Sequence, residues 1–513
     1  MTPTTIGDKR ALGAAYLRRG LPIAALDAFS AWRREARAAG DAAGFVKASN
    51  ALSAAYASIR DYENARAQLE AALAAAADAA VPPEDRVKAR LNLALTLYQT
   101  GQLDAALGAA LEAWETCGLG ATPTLAAQVQ VTLAGIRIAR EEWGAAEAPA
   151  RAACALAEAT GSAPLRSRAL HNLAMVHLQN GRTEDAEDAL LEALRLTGAA
   201  GRAADTASHL TELAHVRLRR GEAQAALELG TRALDALWGS VAVLDEAEVA
   251  RLSRLFGLVA SAADDREEAI VWLNRAAAYY AQSGRMAAWK EVGELLGEVL
   301  GRRHAPRAGR LHIPAGTRDR LHYLTTLLSL SDSISSVQPR LGLHASLVTH
   351  YALRLGEALG LPPDELLALS HGGRFHDIGK IVVALPPLPR REDALRRPDD
   401  ERVLLHPRTG HEMLAMFPLP AGVLATVRAH HERWDGAGYP DGLAGEAIPR
   451  TARVLAVANV YIVLTYDIHP NPAYPHEEAL RLIAREAGTG LDPVAAGAFL
   501  RLHDVETDVE GRD

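Results

Sequence analysis

His376-Asp377-Ile378-Gly379-Lys380 brings an imidazole, a carboxylate and an ammonium into one short stretch of chain. An adjacent His-Asp pair offers a nitrogen and an anionic oxygen, a donor set that suits a hard or borderline divalent cation. Lys380 follows His376 by four residues. On a helix that is one turn, so the ammonium can reach the same pocket. Downstream, His406 and the pair His430-His431 add three more imidazoles, and Trp434-Asp435-Gly436-Ala437-Gly438-Tyr439-Pro440 follows them. Histidine use is uneven: 4 of the 18 lie in the first 300 residues and 14 in the rest. This clustering implies metal-assisted hydrolysis carried by the C-terminal part of the chain.

The bulk numbers narrow the alternatives. The chain has 513 residues, enough for two or three domains, and 49% of them are apolar. The formal net charge of -8 argues against a nucleic acid polymer or an anionic membrane as partner. No run of 18 uncharged apolar residues is present, so no membrane span is expected. Met1-Thr2-Pro3-Thr4-Thr5 lacks the basic and apolar regions of a signal peptide. Cys117 and Cys154 read as reduced core thiols. These features together predict a cytoplasmic protein. Lysine is rare, with 5 against 50 arginines, and Lys380 is the only one after Lys290.

The elements that must position the C-terminal residues follow a long repetitive stretch. Leu93-Ala94-Leu95-Thr96-Leu97-Tyr98-Gln99-Thr100-Gly101 matches Leu173 to Gly181 and Leu213 to Gly221. Turns fall near 20, 61, 101, 142, 181 and 221, with a weaker one near 265, a period of about 40 residues. Each copy reads as helix, turn, helix, with an alanine-rich second helix. One such hairpin cannot bury its apolar face alone, whereas stacked neighbours can. The text resembles tetratricopeptide repeats over residues 8–300. That resemblance implies a superhelix whose groove takes a protein or peptide ligand; a helical spacer or dimerisation arm is the plainer reading. The four histidines here show no ligand-like clustering and read as packing or surface residues.

Residues 301–339 form the predicted linker. Arg302-Arg303-His304-Ala305-Pro306-Arg307-Ala308-Gly309-Arg310 marks a solvated boundary, and residues 317–336 read as one amphipathic helix. That helix could transmit motion or pair with its twin in a homodimer. From 340 to 513 the text is again helical, so the fold expected for the whole chain is all-α.

Within that C-terminal part, His344, His376-Asp377-Ile378-Gly379-Lys380, His406-Pro407, His430-His431-Glu432, Asp435-Gly436-Ala437-Gly438-Tyr439-Pro440 and Gly442-Leu443-Ala444-Gly445 occur in one order. This order resembles the HD-GYP branch of the HD-domain phosphohydrolases. The resemblance implies a bacterial phosphodiesterase acting on a cyclic dinucleotide, chiefly cyclic di-GMP, with two or three iron or manganese ions. It further implies that His376 and Asp377 are ligands, with Asp377 bridging two metals. His344 would complete the first site, and His406, His430 and His431 would hold the second. Lys380 would neutralise the phosphate or give a proton to the leaving group. Trp434, Gly438, Tyr439 and Pro440 would wall the nucleotide site. His350, His371 and His411 are off the pattern and read as packing or surface residues.

The sequence departs from that pattern at several positions. Asn459 stands where the family has a ligating aspartate, so the same metal site keeps a neutral oxygen and loses a charge. Ile462 replaces a second aspartate, and Arg340 replaces a glutamate found in trinuclear members. Two ions are therefore expected here. Asn471-Pro472-Ala473-Tyr474 lacks the arginine that the resemblance implies as a nucleotide contact. Two readings follow: a cyclic di-GMP phosphodiesterase governed by what binds the repeats, or a non-catalytic nucleotide or metal sensor that acts through protein contacts.

Overall fold

A computed structural model describes residues 6–76, 81–118, 120–198, 203–238, 246–282, 285–301, 313–337, 339–382, 401–417, 419–466 and 472–504. Among these residues the regular elements are helices, and the one β-type contact is an isolated bridge between Ala487 and Leu491. The all-α expectation holds. The linker segment 302–310 lies outside the described residues, as do Asn471 and the side chain of Arg340.

The first fifteen helices are α1 (Ile6–Arg18), α2 (Pro22–Ala38), α3 (Ala42–Ser58), α4 (Tyr62–Ala75), α5 (Pro83–Gln99), α6 (Leu103–Cys117), α7 (Pro123–Ala139), α8 (Trp143–Ala159), α9 (Ala163–Gln179), α10 (Thr183–Thr197), α11 (Ala203–Arg219), α12 (Ala223–Trp238), α13 (Glu246–Ala262), α14 (Arg266–Gln282) and α15 (Met286–Gly301). Gly20, Arg60, Gly101, Glu141, Gly181, Gly221 and Asp264 turn the chain within successive pairs, with φ between 60 and 79°. These are the seven predicted turns, each to within one residue. Arg60, Glu141 and Asp264 accept this left-handed conformation at a cost of about 1–2 kcal/mol each. The hairpin geometry therefore outweighs the local preference of a side chain with a Cβ.

By density of contact the chain forms two units. One holds Arg66–Ser240 and Leu244–Thr326. Its second helices bury alanine stripes, as with Ala146, Ala150, Ala153 and Ala157 on α8, all at 0% exposure. That spacing keeps the small residues on one helical face, so the paired helix can approach closely. Leucine, isoleucine and valine then fill the layers between hairpins, as Leu91, Leu97, Leu125, Leu133 and Ile136 do around α5 to α7. The histidines of this unit are not all isolated: His171 Nδ1 lies 3.1 Å from His209 Nδ1, and His209 Nε2 lies 2.9 Å from the Ser167 hydroxyl. Cys117 and Cys154 are free and half-buried rather than core.

The other unit gathers Met1–Ala65 and Leu327–Asp513. It contains α1 to α3 and then α17 (Pro339–Ala358), α18 (Pro363–Phe375), α19 (Glu401–Leu414), α20 (Ala421–Ala429), α21 (Arg450–Thr465), α22 (His476–Glu486) and α23 (Pro493–His503). The helix α16 (Ala315–Val337) covers the predicted 317–336 span and crosses from one unit into the other. The chain passes between the units at Ala65, within the second sequence repeat, and again at Thr326, within the segment read as a linker. One core explains this: Tyr16, Leu21, Ile23 and Phe29 share it with Leu347, Tyr351, Tyr461 and Phe499. Polar contacts seal it. The Tyr351 hydroxyl accepts from the Ile23 amide at 2.9 Å, and His350 Nε2 sits 2.7 Å from the Gly20 carbonyl. Tyr466 donates to Asp61.

Candidate metal centre and active site

Five helices deliver the predicted ligands. His344 lies on α17, His376 caps the end of α18, and Asp377 follows it into a short 3-10 turn, Ile378–Ile381, that carries Lys380. His406 sits within α19, His430 and His431 end α20, and Asn459 lies on α21. His344, His376, Asp377, His406, His430 and Asn459 are all less than 8% exposed.

These side chains meet in two groups that share Asp377. One is His344, His376 and Asp377; the other is Asp377, His406, His430 and His431. Within each group the donor atoms lie within 4.8 Å of one another. The carboxylate divides between them. Oδ2 faces His376 Nε2 at 3.4 Å and His344 Nε2 at 3.8 Å, whereas Oδ1 faces His406 Nε2 at 3.3 Å and His430 Nε2 at 3.8 Å. Lys380 Nζ donates to Oδ2 at 2.6 Å.

One local device aims three of the imidazoles. The Nδ1 atoms of His376, His406 and His430 lie 2.6–2.7 Å from the carbonyls of Gly373, Val403 and Val427, each three residues back. A carbonyl only accepts, so Nδ1 carries the proton and Nε2 is left as the lone-pair donor pointing inward. Burial holds all five imidazoles below their ordinary value, His344 down to about 3. They are neutral at physiological pH, the state a metal ligand needs. Burial opposes the ionisation of Asp377, yet the carboxyl is held well below the usual range, with the Lys380 ammonium at 2.6 Å among the causes.

The residues fit divalent cations. His376 Nε2, the atom that faces Asp377 Oδ2, is buried with no hydrogen-bond partner. Such an orphan is costly unless something else satisfies it. Imidazoles with a shared carboxylate are the donor set of iron and manganese sites. Asn459 adjoins His344, so a neutral amide stands beside the first group. Ile462, at the second departure, is fully buried in the apolar core.

The glycine-rich loop is fastened to this cluster. A Cβ on Gly438 would lie 2.3 Å from the Arg433 amide nitrogen, so only glycine fits there. Tyr439 stacks on His431 at 4.7 Å with an interplanar angle of 15°, and its peptide with Pro440 is cis. Glu432, a residue to which the motif alone assigned no role, accepts from the amides of Asp441 at 2.7 Å and Leu443 at 3.0 Å. Arg428 grips Asp441 through two 2.7 Å bonds. Trp434 packs elsewhere: the Arg453 guanidinium lies 5.6 Å from its ring centroid, and Arg453 pairs with Asp492 at 2.6 Å. Among the described residues, no ring contact joins Trp434 to the histidines. His350, His371 and His411 fall outside the two groups, as expected.

Residues 329–494 match the HD domain family, and residues 165–238 match the Tetratricopeptide repeat family. The chain carries an all-helical HD domain together with tetratricopeptide repeats. It is similar to the cyclic di-GMP phosphodiesterase response regulator RpfG of Xanthomonas campestris pv. campestris (strain 8004), 37% identical over 163 residues, 30% of this chain and 41% of that protein. A cyclic di-GMP phosphodiesterase of Vibrio cholerae serotype O1 is 32% identical over 199 residues, 35% of this chain and 39% of that protein. The 3'3'-cGAMP-specific phosphodiesterase 2 of the same organism is 29% identical over 172 residues, 32% of each chain. The chain spans about two fifths of the length of the first two relatives. No helix among the described residues is long and apolar enough to cross a membrane.

Proposed function

We propose that this chain hydrolyses a phosphodiester bond of a cyclic dinucleotide, cyclic di-GMP foremost, under the control of a protein or peptide bound by its repeats. The single observation that carries this reading is the pair of donor groups joined by Asp377. His344, His376, Asp377 and Asn459 would hold one divalent ion, and Asp377, His406, His430 and His431 the other, iron or manganese in each case. When bound, such ions supply Lewis-acid charge to an anionic phosphodiester and to the attacking water. The chain's own residues do the rest. Asp377 spaces the two groups, and the three carbonyl-anchored imidazoles keep their lone pairs aimed without rearrangement. Lys380 is the one cationic side chain on this turn and can bring an ammonium to the phosphate or a proton to the leaving oxygen. Gly438, Tyr439 and Pro440 would wall the nucleotide, and Trp434 would support that wall through Arg453. A cytoplasmic location and a homodimer paired through α16 belong to the same reading.

Asn459 favours a second reading, a sensor that binds metal or nucleotide without turnover. It leaves the first group with two imidazoles and one shared carboxylate oxygen as its charged or basic donors. The test is to load the full-length chain with manganese or iron(II) and assay hydrolysis of cyclic di-GMP and 3'3'-cGAMP, with Asn459→Asp in parallel. Turnover by the unaltered chain supports the enzyme. Turnover by Asn459→Asp alone establishes the sensor. No turnover by either, with metal bound, refutes the phosphodiesterase.

A further inference from the structure

The two donor groups are unequal, and Lys380 stands against the poorer one. Three imidazoles and Asp377 Oδ1 make the second group. The first has two imidazoles, Oδ2 and the uncharged Asn459. Oδ2 is already engaged, because Lys380 Nζ lies closer to it, at 2.6 Å, than either His376 at 3.4 Å or His344 at 3.8 Å. The lysine side chain is only 24% exposed, so water screens this pair weakly. A cation seated on Oδ2 would meet a like charge at short range. Oδ1 carries no such competitor.

Resting on the proposed two-ion centre, we infer that Lys380 is a tethered competitor for the first ion. The His406-His430-His431 group fills first. The ammonium holds Asp377 Oδ2 until a second cation displaces it, and only the displaced lysine is free to meet a substrate phosphate. Loading of the weaker group and arming of the lysine are then one event. Asn459 sets its threshold, since a neutral oxygen gives the incoming ion little help against the ammonium. A centre built this way responds to the concentration of free metal over a range in which the stronger group is already full.

The test uses the metal-stripped, full-length chain titrated with manganese(II), followed by calorimetry and by the electron paramagnetic resonance signal of free manganese. Two successive affinities are expected. Lys380→Gln should tighten the weaker by about tenfold, the lower end of what groups around a metal site contribute, and leave the stronger unmoved. Lys380→Met should do the same with no hydrogen-bonding group, and thermal melting shows whether each variant is folded. Asn459→Asp should tighten the same step. A second readout is the rate of Lys380 acylation by an amine reagent, mapped by mass spectrometry, which should rise only during the second step. Equal affinities in the unaltered chain, a weaker step that neither lysine variant tightens, or constant acylation would overturn the inference. Absence of manganese binding would overturn the two-ion centre along with it, whereas ordered binding without hydrolysis would overturn only the phosphodiesterase.

Discussion

Asp377→Asn is the sharpest single perturbation of the centre. The carboxylate offers one acceptor oxygen to each donor group, at 3.4 Å from His376 and 3.3 Å from His406. An asparagine of the same shape offers one carbonyl oxygen and one NH2. Whichever way it turns, one group faces a donor in place of an acceptor, and the bridge is gone. A cation held at a hundredfold excess over its dissociation constant stabilises the folded state by about 2.7 kcal/mol. For a unit of about 150–250 residues, each kcal/mol moves Tm by roughly 2–4 °C. Manganese should therefore raise the Tm of the unaltered chain by roughly 5–10 °C and that of Asp377→Asn by much less. Losing one cation's help with the phosphodiester removes about 4 kcal/mol of transition-state stabilisation, which is about a thousandfold in kcat/KM. Paired melts with and without manganese, beside a cyclic di-GMP assay, read both effects. An Asp377→Asn chain that kept the full manganese shift and its turnover would refute the reasoning.

Acidification should weaken the metal-free chain. Burial pushes His344, His371 and His476 down to about 3 and His503 down to about 4, from an ordinary 6.5. Above pH 6.5 neither folded nor unfolded chain binds these protons. As pH falls below 6.5 the unfolded chain takes up protons that the folded unit refuses, so stability drops by about 1.4 kcal/mol per pH unit for each group. Urea midpoints at pH 7.5, 6 and 5 should decline steadily; equal midpoints would contradict the burial argument. Tyr351→Phe leaves the Ile23 amide without its buried acceptor and should cost about 1–3 kcal/mol, lowering Tm without altering manganese affinity. Gly379→Ala would place a Cβ 2.1 Å from the His406 carbonyl oxygen and 2.8 Å from the Gly410 nitrogen, both backbone atoms. The turn bearing Lys380 must then move off α19, and manganese titration should show the second group weakened by about tenfold or more, the scale on which ligand-supporting residues act. Unchanged affinity would show that this close approach is dispensable.

The residues themselves were enough to locate the hairpin turns and the side chains that meet in the two donor groups. Turns near 20, 61, 101, 142, 181, 221 and 265 were legible because a hairpin repeat is a local pattern, written in neighbouring side chains. The imidazoles were legible for a different reason: they occur in a fixed order beside a His-Asp pair and a glycine-rich segment, and metal chemistry tolerates few substitutes. Two features were not legible. The repeat period runs unbroken across Ala65, yet α1 to α3 share a core with α17 and α21. A local pattern records that a helix has an apolar face and says nothing of which distant face covers it. The division of Asp377 was hidden as well. Oδ1 and Oδ2 are equivalent in the sequence and become different only when His344 and His406, 62 residues apart, arrive on opposite sides of one carboxylate. That asymmetry, and the ammonium resting on one of the two oxygens, exists only because separate helices pack around a common point.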